Sequence, residues 1–521
     1  MLSRRKFLQA TAGVAGYAVL GGCDAPVPPT AGPAPPAPPA AATRTPARGP
    51  APPARPALTQ DPTPPPGSPA PAVTIRGYPA RASVHPGATL VLHIATAAPH
   101  FHIEIYRQTT TLELMTQVFG LAGQWAAERA ASDDFQWPAY PLAIPGDWPS
   151  GAYLARCVVD TPADIPPATG EILFVVRSAQ PGRTATILYK LPLATYHAYN
   201  CTGTSANPQD PDRASLYVNP LPSTHPVGSK VTLHRPGGGA GGTICEPPDF
   251  YDGTSPRQTF AHWDAPMIQW LAQHGYAVDY CTDLDLHEEP ALLAPYRLLL
   301  SVGHDEYWSA AMRAQVEVFI EHGGNVAFFS GNICWWRIQF VDGNTAIICD
   351  KTDGADNWYR IRPENALTGV SYRNGGGAWA GARPPLGYTV QHPEHWVYAG
   401  TGLRAGQVFG ATAHPPLIGY ECDGAHHTRT AQGLALADGS DGTPAGFVIL
   451  GTAYLDPHAV PAWDERRGQS TATMGVYTRG GTVFTAATTD WAKVLAADPI
   501  VATITHTVIR TLNRRGGPAA G

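Results

Sequence analysis

Arg297-Leu-Leu-Leu-Ser-Val-Gly303, followed at once by His304-Asp-Glu-Tyr-Trp-Ser309, is the stretch on which the fold turns. An unbroken apolar run of this length, closed by a glycine, fits a strand buried on both faces, as strands of a parallel sheet are. Ser309 then stands as the N-cap of a helix that carries Met312, Val316, Phe319 and Ile320 on one side and stops at Gly323-Gly324. Asn325 to Gly331 reads as the next strand. Upstream, Asp264 caps a helix with Pro266 in its first turn; Met267, Ile268 and Leu271 point inward, Gly275 ends it, and Tyr276 to Thr282 follows as a strand. Strands and helices in alternation imply a parallel sheet with right-handed crossovers. A later strand, Thr482 to Ala487, and a last helix over 497–513 complete an α/β domain at 181–515, mostly parallel, in three α/β/α layers.

Working outward, the period changes to two between residues 73 and 180. Leu90, Leu92 and Ile94 alternate with Val91 and His93, and Phe101, Ile103 and Ile105 alternate with His102, Glu104 and Tyr106. Turn chemistry at His85-Pro-Gly87 and Pro145-Gly-Asp147 separates the strands, and Gly170 to Arg177 supplies a closing one. This all-β region reads as an Ig-like β-sandwich, interrupted by a helical insertion near 111–132. Residues 24–72 hold 19 Pro in 49 positions with almost no large apolar side chain, so nothing there repays the entropy of ordering. That linker is expected to be a disordered Pro/Ala stalk, reaching about 150 Å in polyproline II. Residues 1–23 combine Arg4-Arg5, a weakly apolar run and Leu20-Gly-Gly-Cys23, the pattern of a twin-arginine export signal ending in a lipobox. The expectation is a protein exported by that route and lipid-anchored through Cys23 at the bacterial cell envelope.

Composition narrows the function classes. The 521 residues carry a net charge of −6, only 15% are charged, and no dense basic run appears, so a nucleic-acid surface has no support. Outside the N-terminal segment no apolar run reaches the roughly 18 residues a membrane-spanning helix needs. Seven cysteines follow Cys23, at 157, 201, 245, 281, 334, 349 and 422, without a C-x-x-C pair, so neither a zinc ribbon nor a redox dithiol is indicated. Cys201 with Cys245, or Cys334 with Cys349, are candidate disulfides that spacing does not decide between.

In an open parallel sheet the ligand crevice lies beyond the carboxyl ends of the strands. Those ends carry Thr282-Asp283, His304-Asp-Glu-Tyr307, Ser330-Gly-Asn332 and Thr488-Thr-Asp490. With the chain still extended through 304–306, His304 and Glu306 project to one side and Asp305 to the other. An imidazole beside a carboxylate suits a metal site or general acid–base work equally, and also suits plain satisfaction of nearby backbone groups. Tyr196, Tyr199 and Tyr217 lie in polar surroundings, although a lone tyrosine more often packs than reacts. His426-His427 reads as a solvated turn. Gly237 to Gly242 lacks the lysine of a phosphate loop and reads as a flexible segment near the site. Cys334 follows a strand, as does the nucleophile of glutamine-amidotransferase-like domains, but no sharp glycine elbow surrounds it.

Ser301-Val-Gly-His-Asp-Glu-Tyr-Trp-Ser309, Phe328-Phe-Ser-Gly-Asn332 and Trp335-Trp-Arg337 together resemble the large (beta) subunit of N,N-dimethylformamidase and its relatives. The likeness extends through Thr195-Tyr-His-Ala-Tyr-Asn200, Trp270-Leu271 and Thr282-Asp-Leu-Asp-Leu286, and downstream through Gly481-Thr-Val-Phe484 and Asp490-Trp491. It implies an α/β domain that is glutamine-amidotransferase-like and an amidohydrolase with a mononuclear ferric ion, Fe(III), held by two tyrosinates and one glutamate. On this resemblance Glu306 is the carboxylate ligand, Tyr199 one tyrosinate and Tyr217 the other. His304 and Asn332 match positions beside the ligands or the substrate, and Glu421, in Gly419-Tyr-Glu-Cys422, matches a further catalytic carboxylate. All-oxygen anionic ligation suits a hard trivalent metal. Lewis-acid polarisation of the carbonyl, with His304 or Glu421 moving protons and Asn332 holding the oxyanion or orienting the substrate, is the mechanism implied. The family enzyme works with a small subunit that this chain does not encode, and homo-oligomerisation is compatible with it.

Two other readings stand beside the exported amide or C–N hydrolase. One is a non-catalytic exported binding or scaffold lipoprotein. The other is a carbohydrate-active enzyme with Asp283, Asp305 or Glu306 as paired carboxylates.

Overall fold

The strand predicted at 297–303 spans Leu298–His304 and lies inside a nine-stranded sheet. The computed structural model describes residues 73–514 except 163–164, 205–213, 217–228, 245–247, 378–380 and 456–469. The signal, the stalk, Cys23, Tyr217 and Cys245 therefore lie outside the described residues. In spatial order the sheet runs Val278–Thr282, Ile187–Leu191, Leu298–His304, Asn325–Gly331, Gly481–Thr485, Thr471–Arg479, Val448–Tyr454, Tyr388–Val390, Val408–Phe409. The first five strands pair parallel and the remaining four antiparallel, so the sheet is mixed where the sequence pattern suggested a mostly parallel one. The switch has a local cause. Thr471–Arg479 and Gly481–Thr485 are joined by Gly480 alone, at φ 76°, and so short a connection makes neighbours antiparallel.

Side chains of Leu298–His304 alternate between two cores. Leu298, Leu300 and Val302 pack with Phe329, Trp491 and Ile504, while Leu299 packs with Met312, Val316 and Ile320. The helix Ala310–Glu321 thus serves one core and the helix Pro499–Leu512 the other. Ser309 caps its helix as expected, accepting Met312 N–H at 3.2 Å. Asp264 precedes the helix Ala265–Gln273 but does not cap it, because two tyrosine hydroxyls claim its carboxylate.

In the N-terminal region a three-stranded sheet (Ile75–Pro79, Thr89–Thr96, Ala139–Ala143) and a five-stranded sheet share one apolar core of Leu92, Phe101, Ile103, Tyr153 and Phe174. The segment read as a helical insertion is instead the strand Leu112–Ala122, antiparallel to His100–Gln108. Leu, Glu, Met and Gln favour helix there. Gly120 at φ 74° and the hydrogen bonds offered by the neighbouring strand override that preference.

Candidate active site

Leu298–His304 delivers His304 to its carboxyl end, where Gly303 at φ 69° turns the chain out of the sheet. A side chain there would strike Trp263, whose Cβ would stand 2.5 Å from the added carbon. Beyond the turn, Glu306 N–H donates to Thr195 Oγ1 at 3.0 Å, and the Glu306 carboxylate falls on the same side as His304. Asp305 points the opposite way, to Lys190 Nζ at 2.8 Å, Ser301 Oγ at 2.6 Å and the Trp308 indole at 2.9 Å.

The helix Leu193–Tyr199 brings Tyr199 to this point, and its hydroxyl donates to Glu306 Oε2 at 2.7 Å. Two devices hold that helix. At its start Ala194 N–H donates to Asp283 Oδ2 at 2.8 Å. Along its back lies the glycine segment, where Gly237, Gly238 and Gly239 all have positive φ and a carbon added at Gly238 would come 2.5 Å from His197 Nε2. That segment is a closely fitted plate under the helix, a correction to its reading as a flexible loop; only glycine allows the approach. Beside it, the fully buried Arg235 donates to the carbonyls of His197, Asn200, Thr202, Ala214 and Thr232.

From the neighbouring parallel strand, Asn332 follows Asn325–Gly331 at φ 49° and donates Nδ2–H to Glu421 Oε2 at 3.1 Å. Glu421 opens the strand Glu421–Gly424, and its carboxylate stands 2.7 Å from His304 Nε2. Glu306 Oε2 lies 3.4 Å from the same nitrogen. The structure therefore gathers Tyr199, His304, Glu306, Asn332 and Glu421 into one cluster, each 3% exposed or less. Burial pushes the Glu306 carboxyl above its usual range and Glu421 pushes the same way; His304 and Lys351 pull it back. A hydrogen-bonded imidazole and carboxylate can pass a proton between them, and a phenol meeting a buried carboxylate offers two oxygen donors to a hard cation.

Gln258 was not apparent from the sequence. Its Oε1 accepts His304 Nδ1–H at 2.8 Å, from a loop residue at φ 64°. No periodicity or motif flags it, since the loop is shaped by Pro256 and the Thr259 cap that follows. Among the described residues no group of three or more His, Cys, Asp and Glu is arranged to hold a metal, a statement that does not cover tyrosine oxygens.

Other candidates separate from this cluster. Asp283 and Asp305 both spend a carboxylate oxygen on the buried Lys190, at 2.6 and 2.8 Å, which removes them as a pair for glycoside chemistry. Cys334 and Cys349 are buried free thiols in different apolar clusters and form no disulfide, and burial pushes the Cys334 thiol up, away from nucleophilic use. Cys201 is disulfide-bonded, its partner outside the described residues. His426 pairs with Asp438 at 2.6 Å, whereas His427 is buried rather than solvated.

Asp264, fully buried beneath the cluster, accepts from Tyr189 at 2.8 Å and from Tyr196. Burial pushes its carboxyl from 3.8 up to about 7, against the two tyrosine donors. Because the folded value is raised, its contribution to stability is complete below pH 3.8, declines as pH rises toward about 7, and levels off above that. Asp264→Asn is expected to flatten this decline in a plot of urea midpoint against pH; an unchanged slope would assign the pH dependence to other groups.

A family model described as N,N-dimethylformamidase beta subunit-like, C-terminal, matches residues 106–505. An N,N-dimethylformamidase beta subunit from Alcaligenes sp. is 30% identical over 89 residues, 16% of this chain and 12% of that relative. The match thus spans about an eighth of the relative's length.

Proposed function

Because the chain belongs to the N,N-dimethylformamidase beta subunit-like family, we propose that it is a metal-dependent hydrolase of a small amide or other C–N bond. The observation that carries this is the meeting of Tyr199 with Glu306 beside the His304–Glu421 pair in one buried cluster. The donor set fits a hard cation: Tyr199 and Glu306 would hold a ferric ion, with Tyr217 as the second phenolate. When bound, such an ion supplies Lewis-acid polarisation of a carbonyl and the positive charge that keeps phenols ionised near neutrality.

The chain's own residues do the rest. Glu421, hydrogen-bonded to His304, takes a proton from the water whose oxygen adds to the carbonyl carbon and passes it to Nε2, and His304 delivers it to the departing nitrogen as the C–N bond breaks, leaving an acid and an amine. Gln258 fixes the ring through Nδ1, which sets which nitrogen faces the reaction. Asn332 holds Glu421 in place through Nδ2. Burial of the whole cluster excludes bulk water and strengthens each of these contacts.

The same proposal includes export by the twin-arginine route, lipidation of Cys23, a stalk at 24–72, an Ig-like domain at 73–180 and a layered α/β/α domain at 181–515. A small subunit or a second copy of the chain is the protein partner it leaves room for.

The test is elemental analysis of protein made in iron-replete medium without a metal-binding tag, alongside an amide-hydrolysis screen. The parent is expected to carry about one iron per chain, and Glu306→Gln and Tyr199→Phe to lose iron and activity by roughly a hundredfold or more while staying folded. A folded, iron-free parent, or a Glu306→Gln protein with unchanged iron and activity, would sink the proposal and leave the binding-protein reading in its place.

A further inference from the structure

Thr488-Thr-Asp490 is the strand-end motif that the cluster above does not absorb. Its side chains turn to the backbone that carries Glu421. Asp490 Oδ2 accepts Tyr420 N–H at 2.7 Å and the Thr489 hydroxyl at 2.8 Å, and Thr489 Oγ1 in turn accepts Glu421 N–H at 3.3 Å. Thr489 N–H donates to the Glu421 carbonyl at 3.1 Å. A carbon added at Gly419 would come within 1.8 Å of Asp490 Oδ2, so the carboxylate occupies the place a side chain would take. The main chain of Glu421 is thus held from the 488–490 segment, while Asn332 and His304 meet its carboxylate.

Asp490 is buried, and Arg383, whose side chain is 2% exposed, meets it: Nη2 donates to Oδ1 at 3.0 Å. Burial pushes the Asp490 carboxyl up, but the guanidinium and the hydrogen bonds from Tyr420 and Thr489 more than offset this and hold it below its usual range. The same guanidinium lies 4.8 Å from the centre of the Tyr251 ring, and Arg383 N–H donates to the Tyr251 hydroxyl at 2.8 Å. Tyr251 belongs to the irregular segment that leads to Gln258, which holds His304 Nδ1. Resting on the hydrolase reading above, we propose that Arg383 is a positioning residue for the proton relay: it anchors Asp490, and through Asp490 the backbone of Tyr420 and Glu421, so that the Glu421 carboxylate meets His304 Nε2. Through Tyr251 it ties that setting to the segment that brings Gln258 to the other side of the ring. A relay of two side chains needs both held to a fraction of an ångström, and one cation braces the supports of both.

Arg383→Met strands the Asp490 carboxylate. The experiment reads kcat, KM and iron per folded chain on the iron-replete full-length protein, with N,N-dimethylformamide as the first probe and otherwise the amide that the screen ranks first. Expected is a kcat lower by roughly tenfold or more, with KM and iron within about twofold of the parent, because a displaced relay slows proton transfer without touching the groups that bind. Adding Asp490→Asn removes the stranded charge and leaves a carbonyl for Tyr420 N–H, so the double variant is expected to return to within about threefold of the parent's kcat. A kcat per folded chain equal to the parent's, iron lost in proportion to activity, or no recovery in the double variant would overturn the proposal. Should Arg383→Met not fold, Arg383→Lys is read instead, since it keeps a cation for Asp490 and gives up the flat contact with Tyr251: a kcat lower by about threefold or more with iron unchanged supports the proposal, and the parent's kcat overturns it. If the parent turns over no amide, the hydrolase reading fails, and crystal structures of parent and variant decide the positioning role. A Glu421–His304 separation that opens from 2.7 Å in the parent to beyond about 3.5 Å in the variant supports it, and an unmoved Glu421 overturns it.

Discussion

Lys190→Met is expected to destabilise the fold by roughly 3–5 kcal/mol, the usual cost of stripping one partner from a buried ion pair. Lys190 is fully buried, with its ammonium 2.6 Å from Asp283 Oδ1, 2.8 Å from Asp305 Oδ1 and 4.9 Å from the centre of the Trp308 ring. Burial pulls that ammonium down, and the two carboxylates more than offset it, holding its pKa above the ordinary lysine value. Burial pushes the Asp283 carboxyl up to about 6 even with its partner present. Methionine keeps the length and apolar stem but strands two carboxylates in the interior. The loss should shrink as pH falls and Asp283 takes up a proton. Activity should fall too, because Asp283 anchors the start of the Tyr199 helix and Asp305 lies between His304 and Glu306. Urea midpoints of parent and variant at pH 5 and pH 8 check this; a difference below about 1 kcal/mol at pH 8 would mean that the triad contributes nothing net.

Arg235→Met is expected to cost about 5 kcal/mol or more, since it removes the donors of five hydrogen bonds to buried carbonyls at roughly 1–3 kcal/mol for each group left unsatisfied. Those bonds, 2.7 to 3.2 Å long, tie together His197, Asn200, Thr202, Ala214 and Thr232. Burial pulls the guanidinium down to about 9, with the charge of Glu128 acting the other way, so it remains a cation at neutral pH. Its positive charge is met by carbonyl dipoles. Arg235→Lys should recover little, because an ammonium has three donors and no planar fork. The expected signature is a large drop in urea midpoint together, on the proposed ferric site, with loss of iron. A Met variant with the parent's midpoint would show that water replaces the guanidinium at no cost.

The strands that converge on the site were legible because each is a short apolar run closed by a turn residue, and Leu298–His304 and Asn325–Gly331 lie where the pattern puts them. The opposite orientations of Asp305 and of the His304–Glu306 pair followed from strand alternation alone. The antiparallel half of the sheet was not legible. Val448–Tyr454 and Thr471–Arg479 are largely buried like the parallel strands, and direction is set by Gly480 rather than by composition. Within the site, Tyr199 and Glu421 came from resemblance, since one tyrosine on a short helix and one glutamate opening a short strand carry no periodic signal. Gln258 escaped altogether: its importance lies in one contact made across 46 positions of sequence.

Gly481–Thr485 lies at the centre of the nine strands, between Asn325–Gly331 and Thr471–Arg479, although it is the last strand among the described residues. Synthesis from the N-terminus therefore leaves a gap mid-sheet until Gly481–Thr485 is made. Up to that moment the flank of Asn325–Gly331 is an open apolar edge able to capture other chains. The core cannot close before that strand is made, and such long-range pairing is slow to find. A ribosome-bound nascent chain that ends before residue 480 should remain protease-sensitive and bound to holdase chaperones, and resistance should appear only once Gly481–Thr485 has left the ribosome.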